Sequence, residues 1–550
     1  MKSSVSLLLT VFGFASIATV GHAGLTPGHW CGKPYGAIRH APVSPTPDID
    51  PNPPVINTTL PGFGIQYRYQ PYLSTDTTGS LVVNVPAKGN YTIKAALADG
   101  TILLPATLVT ATDLTQEIKN VNLTLVKPQL TAYYTTITFL SGAKIVQKSI
   151  VRLYRLPSGP KTVRVDRLYG GIIPANMENP IFPWFPYIDF GWIIGGKGME
   201  ANLKFLKAIG YNSINPDPTW TNVTQVDQML EICEQLGIYV QISFRYDFTD
   251  TQTVISNVKR WMTSNAVLTW YSTDEPDGTQ TNQNILLKHP AIRATDPYRP
   301  VSLVLNCQLS AGYYTDASDI YGTDVYPIGI STKGCNATTG DCGCDLCEGS
   351  LTEDIISRTN RYRSDYAAQG VQSIPVWIAL QAFLDPGSWW KRSPTPEEFT
   401  VMFWLSIIEG YKAIGFWQYP YLPKYKPLHE VLSTQLNAVG PSQILTSTQL
   451  PASHITIKGT GAHSTLFAGA WFSTGGSSLL FIVVNANPVL TTFTVAATDA
   501  KAISGNGKEV ASGTAVTVEN GAVSGKLEAL SAGVYTFHLE SKAASSKNSA

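Results

Sequence analysis

The chain has 550 residues, 44% hydrophobic and 10% aromatic, so it can build sizeable cores and wholesale disorder is excluded. Lys+Arg and Asp+Glu both number 39, so the formal net charge is zero and the basic excess of a nucleic-acid-binding protein is absent. At about 100–200 residues per domain, this length predicts about three domains.

Residues 1–23 read as a secretory leader: Lys2 gives a positive start, an apolar run begins at Leu7, and Gly21-His22-Ala23 is a small-residue cleavage site. A membrane anchor is the poorer reading, because Ser16 and Thr19 interrupt the run and no later run is long enough to span a bilayer. Five Asn-X-Ser/Thr sequons, at Asn57, Asn90, Asn122, Asn222 and Asn336, fit export and N-glycosylation. Export also makes the cysteines disulfide candidates: Cys31, Cys307, and four crowded into one loop at Cys335, Cys342, Cys344 and Cys347. Cys233 lies on the apolar face of a predicted helix with Val226, Met229, Leu230 and Leu236, which marks it as a free core cysteine.

Residues 24–60 form a Pro-rich segment, and 61–160 carry short alternating apolar runs separated by turn residues, the pattern of a β-sandwich. From 165 to 440 apolar strands alternate with amphipathic helices. The strands are expected at 182–187, 211–215, 239–244, 268–272, 301–306, 320–325, 376–381 and 415–418. Eight such units over this length predict a (β/α)8 TIM barrel, with a doubly wound sheet as the alternative. From 450 to 541 strands return as a second β-sandwich.

A barrel carries its site at the C-terminal ends of its strands. There the sequence places Trp184 and Tyr187, Arg245 and Asp247, Asp274 and Glu275, Asn306, Asp324 and Tyr326, Gln381, and Trp417 with Gln418. Histidine is absent from this set and no Gly-rich phosphate loop follows a strand, so neither a metal nor another cofactor is expected. Carboxylates, amides and aromatic platforms suit the hydrolysis of sugars. The expected partner is a neutral carbohydrate, with no nucleic acid, no membrane and a monomeric chain. Trp184, Tyr187, Trp417 and the loop residue Trp389 are candidates to stack on sugar rings, and Arg245, Asp247, Asn306, Tyr326, Gln381 and Gln418 to hydrogen-bond them.

The stretch Trp270-Tyr271-Ser272-Thr273-Asp274-Glu275-Pro276 resembles the strand-four acid/base motif of clan A glycoside hydrolases, and the order sandwich, barrel, sandwich is similar to theirs. The resemblance implies a glycosidase in which Glu275 is the general acid/base, its proton retained by apolar neighbours such as Trp270 and by the charges of Asp274 or Asp277. It also implies a nucleophilic Glu ending strand seven, where this chain has Gln381. An amide is no nucleophile. Three readings follow: another carboxylate serves, Asp324 before Asp385; the substrate's own N-acetyl group attacks, with Asp274 orienting it and Tyr326 assisting; or the barrel only binds sugar.

Overall fold

The computed structural model describes residues 64–539 except 112–114, 160, 176, 221, 246–249, 277–282, 307–313, 315–316, 331–348, 369–373, 387–389, 448, 460–464, 474–475, 498–502, 510–514 and 520. The leader, the Pro-rich segment, Asn57, Asn336, Asp247, Asp277, Trp389 and every cysteine except Cys233 lie outside the described residues. Cys233 is free and buried on its helix, Val223–Leu236.

Eight parallel strands close a barrel in chain order: Trp184–Ile188, Ser213–Pro216, Tyr239–Ser243, Val267–Asp274, Val301–Leu305, Ile320–Val325, Val376–Gln381 and Ile414–Tyr419. They are the first to eighth barrel strands below. Among the described residues a helix follows each of them except the fifth. The strands lack polar alternation because both faces are covered. One set of alternate residues, including Ile214, Val240, Ile242, Leu303 and Leu380, packs outward on helix residues such as Leu203, Met229 and Phe403. The other set, including Phe185, Tyr187, Tyr271, Val304 and Trp377, fills the interior. The fit inside is tight: a Cβ at Gly415 would stand 2.4 Å from the Phe185 ring, so only glycine leaves room for that ring.

The N-terminal strands make two antiparallel sheets over one core. Gly64–Tyr67, Thr78–Asn84 and Thr115–Asn122 form the first, and Ile102–Ala111, Gly89–Leu97, Tyr133–Ser141 and Lys144–Leu153 the second. Leu81, Val83, Ile93, Ile137 and Phe139 fill the space between them. This sandwich is tied to the lower end of the barrel through Asp319, next to the start of the sixth strand. Asp319 Oδ1 accepts from Gln70 Nε2 at 3.1 Å, and Arg167, His289 and Arg293 stand 3.5, 3.3 and 4.0 Å from its carboxylate. The carboxyl is fully buried, yet Arg293, His289 and Arg167 beside it hold it well below the usual carboxylate range.

The C-terminal strands form a second sandwich. Its inner sheet (Leu466–Phe472, Ser478–Asn485, Ser531–Leu539, Ile503–Glu509) contributes Leu480, Ile482, Val484 and Val534 to the barrel's own outer core. They pack against helix Pro396–Ile408, which is buried on every side from Phe399 to Ile408 apart from Thr400. A helix apolar all round needs such two-sided cover. Its start is set by Pro396 and a capping box between Thr395 and Glu398, so the Glu397-Glu398 pair belongs to the helix terminus.

Candidate active site

The ends of six barrel strands converge on a group of carboxyls. Asp274 closes the fourth strand and is held at both oxygens: the Tyr271 hydroxyl donates to Oδ1, and Arg245 pairs with Oδ2 at 2.9 Å. Arg245 follows the third strand. Its guanidinium also reaches Asp217, beyond the second strand, at 3.8 Å and lies 4.6 Å over the Trp417 ring of the eighth. Glu275 comes next after Asp274. Its N–H donates to Val304 O at 2.9 Å, and its φ is +42°, a value non-glycine residues seldom adopt. Such strain persists where surrounding bonds enforce it, and it gathers at functional sites.

Asp324 points inward from the sixth strand and is 6% exposed. It is hydrogen-bonded to Glu275 and to the Tyr326 hydroxyl. Burial first, and then the charge of Asp274, push its carboxyl up to about 7, against the opposing pull of the Glu275 bond, Arg245 and Tyr326. Tyr187, from the first strand, hydrogen-bonds Tyr271, and burial together with Asp324 and Asp274 raises its phenol well above the ordinary range. Three carboxyls, those of Asp217, Asp274 and Asp324, therefore interact with one guanidinium, and Glu275 bonds to the third.

Several residues read from the sequence take other positions. Trp184 opens the first strand, faces outward, and is 1% exposed, with Nε1 donating to Ser433 Oγ at 2.9 Å and its ring against Tyr211, Phe403 and His429. It is core, not a stacking platform. Gln381 spends its amide on the main chain of Ile328: Oε1 accepts from Ile328 N and Nε2 donates to Ile328 O, both at 2.9 Å. It is fully buried and pins the loop after the sixth strand instead of facing a sugar. Gln418 is exposed, and the peptide before it is cis. Asn306 is 7% exposed and gives its carbonyl to Arg358. Asp385 is exposed on the loop beyond Gln381, leaving Asp324 as the second carboxylate beside Glu275.

Two contributors, Asp217 and Tyr271, were not read as site residues, whereas Trp390 was read with Trp389 as a cleft residue. Asp217 was visible as a strand-end acid. Tyr271 could have been found from its place three residues before Asp274, on a strand whose register shifts between Tyr271 and Thr273. Trp390 donates from Nε1 to Tyr326 O at 3.0 Å, and its ring packs on Phe383 at 4.9 Å and Tyr326 at 6.0 Å, forming one wall of the mouth. Among the described residues no set of three His, Cys, Asp or Glu side chains is placed to hold a metal ion, and no helix is long and apolar enough to cross a membrane.

No protein-family model matches the chain, and no curated protein matches it in sequence. Among solved structures it is similar to a beta-glucuronidase of Lactobacillus rhamnosus, at 16% identity over 65% of this chain and 62% of that one, with a TM-score of 0.32. A beta-glucuronidase from Ruminococcus gnavus, solved with N1-substituted uronic isofagomine, matches at 12% identity over 68% and 67% of the two chains, TM-score 0.34. One for Dictyoglomus thermophilum matches at 15% over 66% and 62%, TM-score 0.32. The chain spans less than two thirds of the Lactobacillus and Dictyoglomus proteins. Likenesses this distant carry no conclusion about activity, which has to come from the site itself.

Proposed function

We propose that this protein is a secreted glycoside hydrolase acting on a neutral glycan, with Glu275 as general acid and Asp324 as its partner carboxylate. The observation that carries this reading is the hydrogen-bonded Glu275–Asp324 pair at the barrel mouth, in which burial and the charge of Asp274 favour retention of a proton. A general acid must hold a proton at working pH and sit within reach of the leaving oxygen. Within the pair, the Asp324 carboxyl is pushed up to about 7, and its bond to Glu275 keeps that proton beside the leaving oxygen's acid.

Glycosidase carboxyls stand about 5–5.5 Å apart when one attacks the sugar and about 6.5–9.5 Å when a water intervenes. Glu275 and Asp324 are in direct contact, so a sugar reaching both has to part them, and the separation it imposes sets which role Asp324 takes. Asp274 is already clamped by Tyr271 and Arg245, which disfavours its use in orienting an N-acetyl group. Neutrality of the substrate follows from charge. Arg245 is held by Asp217 and Asp274, and a uronate entering beside Asp324 would meet like charge.

A panel of aryl glycosides tests this reading. Neutral glycosides are expected to be hydrolysed with kcat/KM at least about tenfold above the matching glucuronide, a difference of roughly 1.4 kcal/mol. Activity should fall as pH rises through about 7, where the pair loses its proton. A glucuronide preference would sink the neutral-substrate reading, and inactivity on the whole panel together with unaided binding of neutral glycans would favour a binding protein.

Secretion has its own test. Asn90, Asn122 and Asn222 are exposed, and the last two accept through Oδ1 from the backbone N–H of the sequon threonine. Protein secreted from a eukaryotic host should lose mass on treatment with peptide:N-glycosidase, and Asn90→Gln, Asn122→Gln and Asn222→Gln should each remove one step. Secreted protein whose mass the glycosidase leaves unchanged would contradict modification at these sites.

A further inference from the structure

The outer sheet of the C-terminal sandwich has no part in the site above. Its strands run in the order Ile455–Gly459, Thr491–Ala497, Ala522–Leu527, Thr517–Glu519. Alternation sends Phe493, Val495, Val523 and Leu527 into the sandwich core. The residues between them face away from the inner sheet and therefore from the barrel. Register lines them up: Lys458 pairs with Thr494, Thr494 with Ser524, and Ser524 with Thr517, while Thr492 pairs with Lys526 in the next row. Thr494 and Ser524 hydrogen-bond across the strands at 2.8 Å, which fixes the row.

These side chains line a groove of about 580 Å³. Its polar groups are four hydroxyls and two ammonium groups, and none of its lining residues is acidic. Glu519 lies on the same face one row on, opposite Ala522 and outside the groove. The two lysines stand two strands apart, roughly 10 Å across the sheet. From this charge and hydroxyl pattern we infer that the groove binds an acidic polysaccharide, its carboxylates or sulfates meeting Lys458 and Lys526 and its hydroxyls meeting the Thr/Ser row. Hydroxyl groups both donate and accept, which suits a chain of sugar hydroxyls. Phe493, the aromatic residue of the lining, is 2% exposed, so the groove lacks the exposed aromatic centre of a protein interface. The ligand differs in charge from what the barrel mouth admits, so the groove anchors the protein to an acidic matrix independently of catalysis.

Native gel electrophoresis of the whole protein through polygalacturonate, dextran sulfate or uncharged dextran tests this. The parent should be retarded by the polyanions and not by dextran. The double variant Lys458→Glu/Lys526→Glu should bind at least tenfold more weakly, while Lys144→Glu/Lys148→Glu, with the same charge change on the N-terminal sandwich, should bind like the parent. Retardation by one polyanion alone identifies the anion. Equal retardation by dextran, no retardation of the parent, or equal losses in the two double variants would overturn the inference. Unchanged thermal unfolding of the Lys458/Lys526 variant confirms that lost binding is not lost fold.

Discussion

Glu275→Gln is expected to lower the hydrolysis rate by about 10²–10⁴-fold, the usual range for loss of a general acid. Gln keeps the volume of Glu and can still bond to Asp324, so the change removes the transferable proton and little else. The loss should depend on the leaving group. An aryl glycoside whose phenol leaves readily needs little protonation and should lose least, while an alkyl glycoside should lose most. Asp324→Asn should be costly with both, because its part in the reaction precedes or accompanies bond cleavage whatever leaves. Equal rates for parent and Glu275→Gln on every substrate would remove Glu275 from the chemistry.

The second large effect is on stability. Asp319→Asn should destabilise the join between the N-terminal sandwich and the barrel by about 3–5 kcal/mol, because it leaves buried cations without their counter-charge. Arg167 and Gln70 come from the segment beside the sandwich, and His289 and Arg293 from helix Gln283–Thr295 of the barrel; the Tyr154 and Tyr321 phenols complete the surroundings of Arg167. The sign with pH follows from the depressed carboxyl. Its contribution is whole above the unfolded value, about 3.9, and is lost as pH falls below it towards the folded value. Denaturant midpoints measured from pH 6 down to pH 2.5 should therefore drop in the parent and change less in Asp319→Asn. At neutral pH the variant should still turn over substrate, since the cluster lies at the end of the barrel remote from the mouth. An unchanged midpoint at pH 6 would show that the cluster contributes nothing.

Much of this was legible in the sequence for physical reasons. The sixth and seventh barrel strands begin and end where their apolar runs do, at Ile320–Val325 and Val376–Gln381, because both faces of those strands are buried. Strand-end reasoning found Arg245, Asp274, Glu275, Asp324, Tyr326 and Trp417 together, since a barrel gathers those ends at one mouth. It failed where the facing of a side chain decides its role. Trp184 lies in the same strand as Tyr187, but an odd spacing turns it to the opposite side of the wall. The partner of Gln381 is the main chain of Ile328, on a different strand's loop, and no local pattern announces that bond. At the end of the seventh strand Gln381 braces the neighbouring loop, and the acid beside Glu275 comes from the sixth strand.

Helix Pro396–Ile408 has a consequence for the order in which the chain acquires its shape. One side of it is covered by barrel strands that emerge from the ribosome before or just after it; the other is covered by Leu480, Ile482 and finally Val534. During synthesis that second side, which includes Ile408 beside Gly469, stays uncovered until the last strand of the sandwich has been made. The barrel therefore does not complete its outer core as an independent unit: the last covering strand, Ser531–Leu539, is made more than a hundred residues after the helix it covers.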